Sequence, residues 1–246
     1  YYQLHFEKVA WDGFEKFFEP NVLFQLLDLK KEINKIADND TKDIALVLLA
    51  SVTVRASKMV RQGDLRFAKA TEKNNVDRDV LSNFIEKIKL AISDIDSKDC
   101  LILAETIKLA DDARNIELEN QIDCVITSPP YLNGTNYIRN TKLELKLSDC
   151  ILSEADLPEF HSKGIIAGIN NVSKRKTVPE ILNVVAPYLE QLEPVAYDKR
   201  IPVMVAGYFY DMDKVIERLA HAMKDNGYFI MDIGDSQFAG VVTTPV

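Results

Sequence analysis

The sequence predicts an α/β fold with a helical N-terminal region and a mostly parallel sheet that is interrupted by a mixed insertion. Apolar residues recur at helical spacing through residues 1–98. Two short apolar, β-branched runs, Ile122–Thr127 and Tyr228–Ile233, each end in polar turn-forming residues. The second run follows a helical stretch and a glycine, and this order is typical of a crossover unit in a doubly wound sheet.

The composition is that of a globular protein. The 246 residues are 47% hydrophobic and 28% charged, and no apolar run approaches membrane length, so no membrane partner is predicted. The net charge of −8 argues against a protein that binds nucleic acid over its whole surface, although a local basic groove is compatible with it. Cys100, Cys124 and Cys150 lack ligand-like spacing and no metal site is predicted. We interpret them as reduced thiols of a cytoplasmic protein, with Cys124 in a buried strand.

Three helices are predicted in the N-terminal region from the spacing of apolar residues: Asn21–Ala37, Asp40–Arg61 and Asp79–Ile95. Gly63 is expected to stop the second helix. The helical spacing of Arg55, Lys58 and Arg61 indicates a solvated or salt-bridged face rather than a phosphate clamp. Residues 1–98 are therefore expected to pack as a helical region on the core.

Two separate stretches, residues 99–131 and 207–246, are expected to form the core with its parallel sheet. The first should hold one or two short strands just after Cys100 and then the strand Ile122–Thr127. The continuous apolar character of Ile122–Thr127 indicates a parallel sheet covered on both faces. The second should hold a helix over Asp211–Lys224, closed by Asn226 and Gly227, and then the second strand. Residues 132–206 are irregular and rich in proline, and are interpreted as an insertion over one end of the sheet that contacts the substrate.

The first strand runs directly into Thr127, Ser128, Pro129, Pro130 and Tyr131. In open α/β sheets, ligands bind beyond the carboxyl ends of the strands. A bare Pro-Pro is explained by strand termination and a stiff loop. The full string, with a hydrophobic strand before it, resembles the catalytic motif of the amino-methylating DNA methyltransferases, which use S-adenosylmethionine to methylate exocyclic amines. Its Thr-Ser-Pro-Pro-Tyr form is the one most associated with cytosine N4, ahead of adenine N6.

The resemblance covers about half of the chain. Tyr131–Leu147 resembles the stretch after the motif in one bacterial subgroup, and Gly207–Pro245 resembles the later helix–strand–Gly-Asp-Ser segment of that subgroup. Ala110–Arg114 matches the acidic turn near the adenine of the cofactor. The resemblance implies a partial Rossmann-like class I methyltransferase fold, DNA as the partner, and a place in a restriction–modification or similar bacterial or phage system.

The resemblance also implies roles for particular residues. The Ser128 hydroxyl and the Pro129 carbonyl would accept hydrogen bonds from the amine, while Tyr131 would stack on a base flipped out of the duplex. The implied catalytic residues are Ser128, Pro129, Pro130 and Tyr131. The implied cofactor-binding residues are Asp112, Thr127 and Ser128. The implied substrate-binding residues are Tyr131, Asn133, Asn136, Asp235, Lys174, Arg175 and Lys176.

For several of these residues a purely structural interpretation stays open. Asp112 is either an acceptor for the adenine amine or a solvated turn residue. Asp235 either lines a base pocket or caps a glycine-containing turn. Asn133 and Asn136 either orient the base or form turns, and Lys174–Lys176 are either phosphate contacts or an exposed basic loop.

The chain departs from the family it resembles at the cofactor site. That family depends on a glycine-rich turn, typically Asp-Pro-Phe-x-Gly-x-Gly, and none of the nine glycines here forms a Gly-x-Gly. S-adenosyl-L-methionine is the expected cofactor, but this chain alone is expected to bind it weakly or not at all. A second polypeptide or an upstream segment is expected to supply the turn, so the chain would be a truncation, one half of a split enzyme or an inactive homologue. An RNA base methyltransferase and a catalytically incomplete DNA-binding subunit are the alternatives.

Overall fold

The computed structural model describes residues 11–72, 79–97, 106–132, 134, 136–172, 178 and 180–243. The chain packs into two compact units. Unit 1 comprises Tyr1–Ala104 and Tyr137–Glu159, and unit 2 comprises Glu105–Asn136 and Phe160–Val246. Both units contain helices and short strands, so the α/β prediction is confirmed.

The described residues of unit 1 form five α-helices and a two-stranded hairpin. The helices are α1 (Pro20–Ile33), α2 (Asn39–Ala56), α3 (Val80–Asp96), α4 (Tyr137–Asn140) and α5 (Lys142–Leu147). The hairpin consists of β1 (Met59–Gln62) and β2 (Asp64–Phe67), which pair antiparallel. The hydrophobic core is rich in aromatic side chains near the start of the described chain: Trp11, Phe14, Phe17 and Phe18.

The first three helices begin within one residue of their predicted starts, because each has a recognisable N-terminal signal. Pro20 occupies the first turn of α1, where its missing N–H is not needed. The Asp38 carboxylate accepts a hydrogen bond from the Thr41 N–H at 2.8 Å and caps α2. Asp79 caps α3 in the same way through the Ser82 N–H at 3.0 Å.

The predicted end of the second helix is wrong. Helix α2 ends at Ala56, and β1 begins three residues later. The Ser57 hydroxyl accepts the Met59 N–H at 2.9 Å, which turns the chain out of the helix. Gly63, with a φ of +72°, forms the tip of the hairpin instead of the helix stop. The basic residues Lys58 and Arg61 therefore lie beyond the helix.

Those basic residues are paired with carboxylates, as the salt-bridge interpretation predicts. The Lys58 ammonium lies 3.7 Å from Glu19, and the Arg61 guanidinium bonds Glu144.

Unit 2 is built around one long helix and one parallel strand pair. Its helices are α7 (Ala186–Leu192) and α8 (Arg200–Ala222), and α6 (Leu157–Lys163) crosses the boundary between the two units along the chain. Strand β3 (Ile122–Thr127) pairs parallel with β4 (Met223–Met231), so that Thr127 lies opposite Met231. The antiparallel pair β5 (Ser236–Phe238) and β6 (Val241–Thr243) follows.

The sheet is smaller and more open than predicted. Its parallel part has two strands within the described residues, so a Rossmann-like core stays a prediction. On one face, Val125 packs with Val215 and Leu219 of α8. Alternate residues point to the other face, and Ile126 is 77% exposed there. The prediction that Cys124 lies in a buried strand is wrong, because Cys124 is exposed on that second face.

The predicted border between the last helix and its strand is also wrong. Helix α8 starts at Arg200, well before its predicted start at Asp211, and ends at Ala222. The strand begins at Met223 rather than after the glycine. Gly227 therefore lies within β4. A Cβ atom added there would come within 3.2 Å of the Asp123 carbonyl oxygen. The glycine thus permits a close approach of the backbones and does not cap a helix.

The predicted insertion, residues 132–206, is divided between the two units. Residues 137–159 of the predicted insertion pack in unit 1 and the rest in unit 2, and the substrate-contacting role of residues 132–206 stays a prediction. The strand predicted just after Cys100 lies outside the described residues. Among the helices of the described ranges, none is both long and apolar enough to cross a membrane.

Candidate active site

The turn after β3 presents its polar residues at the surface. Ser128 is exposed and Tyr131 is 39% exposed, whereas Pro129 between them is buried. The two prolines fix their own φ angles and have no N–H to be satisfied. A buried Pro129 thus anchors the turn while the Ser128 hydroxyl and the Tyr131 ring remain accessible to a ligand.

The turn closes tightly after Tyr131. The Gly134 N–H donates to the Tyr131 carbonyl at 2.8 Å. A Cβ atom at position 134 would lie 2.7 Å from that same oxygen, which is closer than side chains approach. Glycine is therefore required to close the turn in this form.

The segment that leaves β4 lies against this turn. The Asp232 N–H donates to the Thr127 carbonyl at 3.0 Å, so the parallel pairing continues to the last residue of β3. The Tyr131 ring lies over Gly234, at 3.5 Å from the position that a Cβ atom would take. The Ser236 hydroxyl donates to the Leu132 carbonyl at 2.6 Å. The two strand ends that the sequence predicts to face a ligand are thus in contact.

The predicted cofactor residue Asp112 is engaged in an ion pair. It caps a short 3-10 turn, Ala113–Asn115, by accepting the Arg114 N–H at 2.9 Å. Its two carboxylate oxygens also accept from the Arg114 side chain, with the shortest bond at 2.7 Å from Nη2. These bonds from Arg114 hold the pKa of Asp112 below its usual value.

Arg114 joins Asp112 to a second, buried carboxylate. Its Nη1 donates to Asp211 of α8 at 2.8 Å, and its Nη2 donates to the Lys163 carbonyl at 2.8 Å. The other Asp211 oxygen accepts the Ile166 N–H at 3.0 Å. Hydrogen bonds to Asp112 and Asp211 raise the pKa of the Arg114 guanidinium above its ordinary value. This network fixes the 3-10 turn against α8.

Sequence reasoning did not identify Arg114 or Asp211. The available signal was an aspartate at a position of α8 that packs inward, since a buried carboxylate needs a partner. It did not name that partner, which lies 97 positions away in the chain.

The described residues do not fit a complete cofactor site. The carboxylate expected to accept from the adenine amine already bonds Arg114 through both oxygens. A Gly-x-Gly turn, which would hold the methionine end, does not occur in the sequence. No group of three or more His, Cys, Asp or Glu residues able to hold a metal ion occurs in the described ranges.

The other predicted substrate residues are placed as follows. Asp235 is exposed, between Gly234 beneath the Tyr131 ring and Ser236. Asn136 is buried, at 9% exposure. Asn133 and Lys174–Lys176 lie outside the described residues. Asp235 therefore directly follows the glycine that the Tyr131 ring covers, and the roles of all these residues stay predictions.

Several clefts lie elsewhere in unit 2. Two polar, open clefts of about 540 and 610 Å³ lie at the amino ends of β3 and β4, around Glu119 and His221. Ligands of parallel sheets bind at the opposite ends, so these clefts are poor candidates despite their size. A smaller apolar cleft of about 150 Å³ is lined by Tyr208 and Phe209 of α8 and by Ile233 just after β4.

Comparisons with known proteins give a partial match. Over 130 residues the chain is 31% identical to the type II methyltransferase M.AvaI of Nostoc sp. (strain PCC 7120 / SAG 25.82 / UTEX 2576), and equally to the protein of the same name from Anabaena variabilis. No family model matches the chain, and no solved structure matches it.

The match covers 48% of this chain but only 27% of each relative, so the chain spans about a quarter of the length of the curated relatives it matches. Just under half of the chain is therefore similar in sequence to a methyltransferase.

Proposed function

We propose that this chain carries the base-binding turn of an S-adenosylmethionine-dependent DNA methyltransferase. Its target would be an exocyclic amine of a flipped base, cytosine N4 ahead of adenine N6, in a restriction–modification or similar system. The observation that carries the proposal is the stiff Ser128–Tyr131 turn at the carboxyl end of a parallel strand, with its hydroxyl and ring exposed. The partial similarity to a type II methyltransferase supports the same reaction class.

The chemistry requires this kind of turn. The lone pair of an exocyclic amine is delocalised into the ring, so acceptors placed against its N–H bonds favour a pyramidal, more nucleophilic nitrogen. The Ser128 hydroxyl and the Pro129 carbonyl are the proposed acceptors. The Tyr131 ring, exposed on one side and lying on Gly234 on the other, is proposed to stack on the flipped base.

The substrate proposal needs positive charge at one place on the surface. The chain as a whole carries −8, so phosphate contacts would have to be local. We propose Lys174–Lys176 as such contacts, with Asn133, Asn136 and Asp235 near the base.

The cofactor, when bound, supplies a methyl group activated on a sulfonium. We propose that Thr127, Ser128 and Asp112 face it, and that a second polypeptide or a further segment supplies the glycine-rich turn that grips its methionine end. The isolated chain should then bind S-adenosylmethionine weakly or not at all in calorimetry. Tight, stoichiometric binding would contradict this part of the proposal.

The direct test of the proposed function is tritium transfer from labelled S-adenosylmethionine to duplex DNA by the full-length protein. Ser128→Ala and Tyr131→Ala should each abolish most of the transfer. Ser51→Ala and Tyr197→Ala are matched controls, because Ser51 is exposed on α2 and Tyr197 is 77% exposed. If the Ser128 and Tyr131 variants transfer methyl groups at the wild-type rate, the site assignment is wrong.

One observation favours a second candidate, a non-catalytic DNA-binding subunit that keeps the fold. Both carboxylate oxygens of Asp112 already accept hydrogen bonds from Arg114. That candidate predicts DNA binding with no incorporation of tritium into DNA or RNA. Incorporation by the purified full-length protein would eliminate it.

A further inference from the structure

The segment from Asp232 to Ser236 contacts the Ser-Pro-Pro-Tyr turn at three successive points. Its first residue bonds the Thr127 carbonyl at 3.0 Å, where the turn begins. Gly234 lies beneath the Tyr131 ring, with ring carbons 3.5 and 3.8 Å from the position of an added Cβ atom. Ser236 bonds the Leu132 carbonyl at 2.6 Å, where the turn ends. The segment therefore supports the turn along its length.

The turn needs such external support. Pro129 and Pro130 have no N–H groups, so they cannot donate hydrogen bonds that would hold the loop together. They fix their own φ angles but not the backbone that follows Tyr131. The bond from Ser236 fixes the position of the Leu132 carbonyl in that backbone, and the Leu132 side chain is buried in the core of unit 2.

Ser236 is itself held firmly. It is the first residue of β5 and lies opposite Thr243 in the β5–β6 pair. The Thr243 hydroxyl, which is buried, donates to the Ser236 carbonyl at 3.1 Å. Phe238 in the same strand is 3% exposed and belongs to the core. The donor hydroxyl therefore sits on a paired strand whose Phe238 side chain is anchored in the core.

We infer that Ser236 is a positioning residue that sets the orientation of Tyr131, through its hydrogen bond to the Leu132 carbonyl. Its importance for methyl transfer rests on the proposed function, but the positioning itself does not. Ser236 is not proposed to touch the base. It acts through the turn, and Gly234 beneath the ring leaves room for the orientation that it sets.

The first arm of the test measures the turn without reference to activity. Solvent exchange of the Gly134 amide, which bonds the Tyr131 carbonyl, is followed by NMR. Ser236→Ala should accelerate this exchange about tenfold, the size expected for the loss of one side-chain hydrogen bond. Ser236→Thr keeps a hydroxyl and should restore the wild-type rate. Ser51→Ala removes a comparable bond, from the Ser51 hydroxyl to the Leu48 carbonyl at 2.7 Å, and should have no effect.

An internal reference separates local loosening from unfolding. The Val125 amide lies in β3, and its exchange should be unchanged in Ser236→Ala if only the turn is released. An unchanged Gly134 rate in Ser236→Ala would overturn the inference. Equal acceleration of Gly134 and Val125 would also overturn it, because the hydroxyl would then be a general stabiliser of the unit.

The second arm measures methyl transfer to DNA by the full-length protein. Ser236→Ala should lower kcat about tenfold while KM for DNA changes less than twofold, and Ser236→Thr should recover most of kcat. If the wild-type protein transfers methyl groups and Ser236→Ala keeps its kcat, Ser236 does not position the turn for catalysis. If the wild-type protein transfers none, the proposed function fails, and the exchange measurement alone decides whether Ser236 orders the turn.

Discussion

Replacing Asp211 by alanine removes a carboxylate that joins three segments of unit 2. One of its oxygens accepts from Arg114 at 2.8 Å, and the other accepts the Ile166 N–H at 3.0 Å. The residue is 7% exposed, so water cannot readily replace these bonds. The variant therefore leaves a partly buried guanidinium with one carboxylate instead of two and a backbone N–H without its acceptor.

The cost follows from these two losses. An unsatisfied buried donor costs about 1–3 kcal/mol, and breaking a buried ion pair by removing one partner costs about 3–5 kcal/mol. Arg114 keeps its bonds to Asp112 and to the Lys163 carbonyl, and its side chain is 22% exposed. The ion-pair loss should therefore be well below that range, and we expect Asp211→Ala to lower the free energy of unfolding by about 3 kcal/mol.

Urea unfolding followed by far-UV circular dichroism measures this change. Asp213→Ala, two residues along the same helix at an exposed position, is the matched control and should change stability by less than about 0.5 kcal/mol. If Asp211→Ala is as stable as Asp213→Ala, the Arg114 network does not hold the 3-10 turn on α8, and the reasoning is refuted.

Three further predictions follow from particular side chains. The hydrogen bonds from Arg114 lower the pKa of Asp112 in the folded protein, so they stabilise the fold above the ordinary aspartate pKa of about 3.9. This stabilisation is lost as the pH falls through the lowered pKa of the folded state. On acid titration, Asp112→Asn should therefore lose less unfolding free energy than the wild type, and an equal loss would contradict this. The Tyr208 hydroxyl is buried without a hydrogen-bond partner among the described residues, and burial raises its pKa to about 12. Tyr208→Phe should therefore leave the unfolding free energy unchanged or raise it by up to about 1 kcal/mol, and a clear decrease would show that the hydroxyl is bonded. The Asn140 side chain bonds the backbone of the β1–β2 hairpin through its amide oxygen and its amide nitrogen. Asn140→Ala should lower the free energy of unfolding by about 2 kcal/mol and speed amide exchange in the hairpin. Amide exchange at the wild-type rate would show that Asn140 does not hold the hairpin.

Local signals predicted the starts of the three N-terminal helices, but not the end of α2 or the start of α8, which was predicted at Asp211 and lies at Arg200. A proline or a capping aspartate acts within one turn, so α1, α2 and α3 begin where expected. The end of α2 depends on the Ser57 hydroxyl and on the pairing of two later strands. Gly227 was interpreted as a helix stop because glycine is common there, but it serves a backbone approach to Asp123 that only the paired strands reveal.

In the candidate site, too, the local motif could be predicted from the sequence but the long-range contacts could not. The Ser-Pro-Pro-Tyr string and its place at a strand end could be recognised because they are contiguous in sequence. The contacts that support or engage the predicted residues join positions far apart: Ser236 and Leu132 are separated by 104 positions, and Arg114 and Asp211 by 97. Nothing in the spacing of these residues identifies them as pairs, so the support of the turn became visible only in the folded chain.

The central claim is that the turn after β3 holds the amine of an extruded base. Mass spectrometry of nucleosides tests it most directly, using duplex DNA incubated with S-adenosylmethionine and the full-length protein or its Ser128→Ala variant. The wild-type protein should produce N4-methylcytosine, and the variant should produce almost none. DNA without any methylated amine, or equal amounts from both proteins, would contradict it.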